Sequence, residues 1–231
     1  MKSILIIKCG ESHPKIKSQF GDYDDWIIKT SGLPRENFRI VNLYAGEPLR
    51  HPEDFAATII TDSPFHVNQR LPWINQLKNW LVTARYSNAP VLGIGFGLHV
   101  ITEAFGGKVT PNSSGSFLGA SFIHIKPEFS NDPLFKNTGN SFESYLNYTR
   151  QVSILPSGAD IIAENTSGII MALRINRIIG IQFNPEIPEK VFKTYLKNSK
   201  LPTRAHLGAK LSSEHKNQQI LPNFFAHSLN F

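Results

Sequence analysis

Pro90-Val91-Leu92-Gly93-Ile94-Gly95-Phe96-Gly97-Leu98-His99 is the segment on which the architecture turns. An apolar run passes directly into a stretch of helical spacing, through glycines at 93, 95 and 97. Glycines at these steps let a buried strand bend sharply into a helix packed close against it, which is the geometry of a nucleophile elbow. The central side chain of such an elbow stands exposed on a strained backbone, and the helix N–H groups beyond it can hold an oxyanion. Here the central residue is Gly95, so an elbow is expected without a nucleophilic side chain.

The flanking sequence repeats the alternation of strand and helix. Residues 3–8 and 38–43 read as the first two strands, and residues 56–61 as a buried strand of the parallel type. Residues 10–21, polar and bounded by glycines, read as a loop. Asp22 is placed to cap a helix carrying Tyr23, Trp26 and Ile27. Pro72 opens a helix at the position where a missing N–H does no harm, and Trp73, Leu77, Trp80, Leu81 and Ala84 follow at helical spacing. This rhythm predicts an α/β fold of three layers around a mostly parallel central sheet. Beyond Lys108 the pattern changes to successive strands, at residues 117–126, 143–149, 160–164, 169–173 and 177–183, read as an antiparallel extension. Pro188 starts a further helix. Ile220, Leu221, Phe224 and Phe225 give residues 211–231 an amphipathic helix that docks. No repeat or linker breaks the chain, so residues 1–231 are expected to form one domain, with 185–231 as a helical region packed on it.

Composition bounds the function. The chain has 231 residues, of which 41% are hydrophobic and 18% charged, with one cysteine. That excludes an intrachain disulfide and a cysteine-built zinc site. The apolar runs are too short for a membrane span or a signal peptide, so a cytoplasmic protein is expected. The net charge is +6, and residues 186–216 hold seven Lys or Arg against three Glu. Lys193, Lys197 and Lys200 share one helical face, read as a solvated lysine surface. Arginine clusters interleaved with aromatics are missing, so nucleic acid is not an expected partner. His66, His99 and His124 lack ligand spacing, and neither metal nor cofactor is expected.

The motifs taken together resemble the class I glutamine amidotransferases, in particular their stand-alone, GMP-synthase-like subgroup. Besides the elbow, these are Ile59-Ile60-Thr61-Asp62-Ser63-Pro64, Gly106-Gly107-Lys108-Val109, Val152-x-x-Leu155-Pro156-x-Gly158-Ala159 and Gly180-Ile181-Gln182-Phe183-Asn184-Pro185-Glu186. The resemblance implies a flavodoxin-like fold and a cysteine–histidine–glutamate triad that hydrolyses glutamine through a thioester. It places Gly95 where the cysteine belongs, Asn184 where the histidine belongs, and Glu186 on the glutamate. It also places Asp62 where the oxyanion loop normally has glycine, beside Ser63 and Phe96, and puts His99 and Tyr148 at substrate-side positions. An anion beside an oxyanion site opposes the charge that develops there. Glu186 has a second reading, as a carboxylate at the start of the following helix. The resemblance with these replacements implies a degenerate amidotransferase without glutaminase activity. Such a protein would act as a binding or regulatory module, with a small ligand in the vestigial glutamine pocket or a protein partner. The alternative is an active amidotransferase or amide hydrolase with relocated residues, Cys9 serving as nucleophile at the end of the first strand.

Overall fold

The computed structural model describes residues 2–198 and 216–229. The N-terminal half builds strands β1 (Ile4–Lys8), β2 (Phe38–Asn42), β3 (Ala57–Ile60) and β4 (Val91–Ile94). It also supplies helices α1 (Pro14–Phe20), α2 (Tyr23–Ser31), α3 (Pro72–Tyr86) and α4 (Phe96–Ala104). The rest supplies strands β5 (Lys108–Pro111), β6 (Phe117–Ile125), β7 (Ser141–Tyr148), β8 (Arg150–Ile154), β9 (Asp160–Asn165), β10 (Ile170–Ile175) and β11 (Ile178–Ile181). Helices α5 (Glu189–Asn198) and α6 (Ile220–Leu229) follow.

The main sheet has nine strands in the order β2-β1-β3-β4-β11-β10-β9-β6-β7. From β2 to β11 neighbouring strands are parallel, and from β11 to β7 they are antiparallel. The expected parallel core and antiparallel extension are therefore one continuous sheet. Strands β1, β3 and β4 are buried along their whole length, as parallel strands covered on both faces must be. One apolar cluster joins Ile4, Ile6, Ile59 and Leu92 to Phe224 and Phe225 of α6. A second joins Leu5, Ile7, Ile60 and Val91 to Leu77 and Leu81 of α3 and Leu98 and Ile101 of α4. Alternate side chains of each strand thus feed opposite layers.

Local chemistry accounts for most element ends. The Asp22 side chain accepts from Tyr23 N, and Asp25 at the third helical position accepts from Asp22 N, closing a capping box on α2. Pro72 sits in the first turn of α3. The C-terminal amphipathic helix docks as expected: Phe225 meets Phe38 edge-on at 5.8 Å.

Three local readings change. Residues 10–21 contain a helix, α1, whose Ile16 is buried and whose cap is the His13 side chain accepting from Lys15 N. Strand β5, not expected, pairs antiparallel with β8, whose Val152 belongs to the quoted family motif, and the two form a separate small sheet. Glu186 does not act at the start of α5; it turns inward, as shown below. Residues 211–215, 230 and 231 of the expected terminal helix, and Lys200 of the lysine face, lie outside the described residues. No helix among the described residues is long and apolar enough to cross a membrane.

Candidate functional site

The strand order reverses between β1 and β3, so the loops leaving their carboxyl ends part and open a crevice. A cavity of about 470 Å³ lies there. Residues 11–14 after β1, 62–66 after β3, Gly95, Phe96 and His99 after β4, and Gln182 after β11 line it. Asn147 and Tyr148 of β7 and Tyr195 of α5 close its far side.

The elbow forms as the glycines require. A Cβ on Gly93 would lie 2.6 Å from the Gly97 carbonyl carbon, and one on Gly97 would lie 2.8 Å from Ile60 O. Only glycine at both positions lets α4 start against the sheet. Gly95 sits at the turn with φ 54° and ψ −103°, and its N–H donates to Ile181 O at 2.8 Å. Side chains at such positive φ are strained.

The loop after β3 is tied to the end of β1. Thr61 N donates to Ile7 O, Cys9 N donates to Thr61 Oγ1 at 3.0 Å, and the Ser63 hydroxyl donates to Cys9 O at 2.6 Å. These bonds aim Asp62 across the crevice at the elbow. Its Oδ1 accepts from Phe96 N at 2.9 Å and from Ser63 N at 2.8 Å. A Cβ on residue 95 would stand 2.4 Å from that same Oδ1 and 2.5 Å from Cγ. The carboxylate thus occupies the space of any side chain at the elbow and takes the first N–H of α4.

From Asp62 a polar chain runs inward. Asn184 Nδ2 donates to Asp62 Oδ2 at 3.4 Å and to Glu186 Oε1 at 3.0 Å. One amide nitrogen therefore joins two carboxyl groups, and Asn184 Oδ1 and Glu186 Oε2 are left buried without a hydrogen-bond partner. Burial pushes Glu186 up to about 8, against the opposing Asn184 bond, with the Asp62 charge adding to the rise. Glu186 is thus largely protonated near neutral pH. Burial also raises Asp62, although bonds from Phe96, Ser63 and Asn184 hold its charged form.

His99 lies one turn along α4, with Nε2 2.9 Å from Gln182 Oε1. Burial lowers its imidazole to about 4, leaving it neutral at pH 7. Phe96 packs on Trp73 at 5.6 Å, and Trp73 on Phe65 at 5.7 Å, forming an aromatic wall. Tyr148 stacks on Phe117 at 5.4 Å. The Tyr195 hydroxyl bonds Tyr23 and the His13 backbone, fastening α5 over the cavity.

The structure therefore gathers Asp62, Ser63, Gly95, Phe96, His99 and Tyr148 around one cavity, with Asn184 and Glu186 behind Asp62. It does not bring Cys9 to that cavity. Cys9 is fully buried in the apolar cluster between sheet and α3, its Sγ 3.8 Å from Ile7 O, and burial pushes its thiol well up. A raised thiol pKa lowers the thiolate fraction on which nucleophilicity depends. Sequence reasoning missed Tyr23 and Tyr195 as lining residues. Tyr195 was legible only as part of the apolar stripe of α5. Among the described residues no group of three or more His, Cys, Asp or Glu could hold a metal ion.

Residues 37–201 match the family described as glutamine amidotransferase class-I, well over half of the chain. The chain belongs to the class I glutamine amidotransferase family. Among curated relatives of this chain, the glutamine-hydrolysing GMP synthase of Thermosipho melanesiensis is 23% identical over 201 residues, covering 83% of this chain and 34% of that protein. A glutamine-hydrolysing GMP synthase subunit from Sulfurisphaera tokodaii is 25% identical over 187 residues, covering 78% of this chain and 95% of that one. The chain thus spans about a third of the length of the T. melanesiensis relative. The fold agrees with solved structures. A glutamine amidotransferase from Thermotoga maritima superposes with TM-score 0.77 at 16% identity, over 100% of both chains. One from Methylobacillus flagellatus gives 0.75 at 17% identity, over 99% of this chain and 94% of that one.

Proposed function

We propose that this amidotransferase-fold chain has no glutaminase activity and serves as a ligand-binding or protein-binding, regulatory module. The observation that carries the proposal is the Asp62 carboxylate, seated on Phe96 N and Ser63 N and overlapping the place of a side chain at 95. In the family mechanism this place holds a cysteine sulfur and the oxygen of a tetrahedral intermediate. Here it holds a carboxyl group fixed by two N–H donors. Gly95 supplies no nucleophile, and the Asn184 amide is not basic near neutral pH. Loss of a nucleophile with its base removes turnover by a factor on the order of 10⁶ in comparable triads. Removing a single oxyanion donor lowers it by roughly 10²–10³. Occupying the hole with a carboxylate reverses the sign of the interaction there. Glu186, which would orient a histidine, is instead bonded to the amide in its place. That the S. tokodaii relative is named as one subunit of a synthase supports a protein partner.

The test is glutamine-dependent ammonia release by the purified full chain, expected at the background level. Release above background overturns the proposal. If that release vanishes in Cys9→Ala, the chemistry has moved to the buried thiol.

A further inference from the structure

Most amidotransferase chemistry needs a site that welcomes negative charge, and this cavity offers the reverse. The two N–H groups that could receive an anion are both taken by Asp62 Oδ1. The other oxygen, Oδ2, has only the 3.4 Å contact from Asn184. A carboxylate oxygen accepts about two hydrogen bonds, so Oδ2 retains capacity for a strong donor. Asp62 itself is a lining residue and is half-buried.

The lining histidines add no charge to offset that of Asp62, although the Arg150 cation lies close enough to act on both His99 and His66. His99 is neutral, held at about 4 by burial, with the Arg150 charge acting in the same direction. Burial and the Arg150 charge also lower His66. At the mouth, His13 uses Nδ1 to accept from Lys15 N, and Glu11 adds a second carboxylate, bonded to Lys17 and Tyr44. The walls are aromatic: Tyr23, Phe65, Phe96, Tyr148 and Tyr195. Aromatic faces attract cations and bury apolar bodies. A volume of about 470 Å³ suits a small molecule.

We infer that the cavity binds an organic primary ammonium carried on an aromatic or apolar body, its N–H groups on Asp62 Oδ2 and its body against the aromatic wall. The inference rests on the non-catalytic reading of the same site. An ammonium donor to a carboxylate is charge-assisted, whereas the carbonyl of a carboxamide finds no free donor pair there.

The test uses the purified full chain, with calorimetric titration and thermal shift as readouts. The probes are phenethylamine, 2-phenylethanol of the same shape without charge, and phenylacetate with the opposite charge. Phenethylamine is expected to bind at least tenfold more tightly than 2-phenylethanol, and phenylacetate not at all. In Asp62→Asn the amine preference is expected to fall tenfold or more, leaving the amine and the alcohol comparable. That variant keeps an acceptor for Phe96 N and Ser63 N. Its new amide can donate to a reversed Asn184, whose Oδ1 also accepts from protonated Glu186. Its thermal midpoint reports whether it is folded, and Asp62→Ser provides a second uncharged variant. Amine binding unchanged in both variants, equal binding of amine and alcohol to the wild type, or no amine binding overturns the inference. Ammonia release is measured separately. A hydrolysing protein sinks the non-catalytic reading, whereas a silent protein that ignores amines sinks only this inference.

Discussion

Gly95→Ala adds one methyl group at the elbow, and its effect is calculable. The backbone there, at φ 54° and ψ −103°, suits glycine. An L residue at such a position is strained by about 1–3 kcal/mol. The methyl would also arrive 2.4 Å from Asp62 Oδ1, where ordinary contacts begin near 3.4 Å, so the carboxylate must withdraw by about 1 Å. Withdrawal breaks its bonds to Phe96 N and Ser63 N, each worth roughly 0.5–1.5 kcal/mol net. The expected loss is about 3 kcal/mol or more, and Tm falls by roughly 6–12 °C at 2–4 °C per kcal/mol for a chain of this size. In an Asp62→Gly background the collision and the withdrawal disappear, and only the backbone strain remains. The two substitutions should therefore couple, with the double variant more stable than the sum predicts by about 1 kcal/mol or more. Urea unfolding followed by circular dichroism measures all four corners of the cycle. Additivity within about 0.5 kcal/mol would refute the claim that Asp62 fills the space of residue 95.

Activity offers a parallel test: Gly95→Cys with Asn184→His should stay silent in the ammonia assay, and adding Asp62→Gly should produce measurable release. Activity in the double variant would contradict the blocking role of Asp62. The buried Glu186 carboxyl, raised from an ordinary value near 4.5 to about 8, binds a proton in the folded state that the unfolded chain releases. Its contribution is complete below about pH 4.5 and declines as pH rises towards 8 and beyond. Glu186→Gln should flatten that part of the profile, read as urea midpoint against pH, and an unchanged slope would exclude Glu186 as its source. Phe225→Ala removes a buried ring packed on Phe38 and should lower stability by about 3–5 kcal/mol, and a loss below 1 kcal/mol would show that α6 is not integral to the core.

The parallel half of the sheet was legible because buried strands and amphipathic helices alternate with proline and glycine boundaries. Helix α1 was hidden because it offers one buried apolar residue, Ile16, in seven, with a histidine as its cap. Strand β5 was hidden, and β8 visible only through its Val152 motif, because each buries a single residue, Val109 and Val152. At the site, the residue types at 62, 95, 184 and 186 could be read from the motifs. Their connection could not. That Asp62 reaches the elbow depends on Thr61 and Ser63 fastening its loop to β1, contacts spanning more than fifty residues. Glu186 shows the same limit: its position two residues before Pro188 suggests a helix terminus, whereas Asn184 draws it inward.

The overlap between Asp62 and position 95 also imposes an order on change. A chain with any side chain at 95 cannot seat Asp62 as it lies here, because the two claim the same volume. Glycine at 95 is thus a precondition for this seat of the aspartate. With the aspartate seated, a cysteine placed at 95 meets a collision that it would not meet with glycine at 62. The two positions therefore act as one choice: the crevice admits a side chain at 95 or the carboxylate of residue 62 in its present seat, and any change at the elbow begins at residue 62.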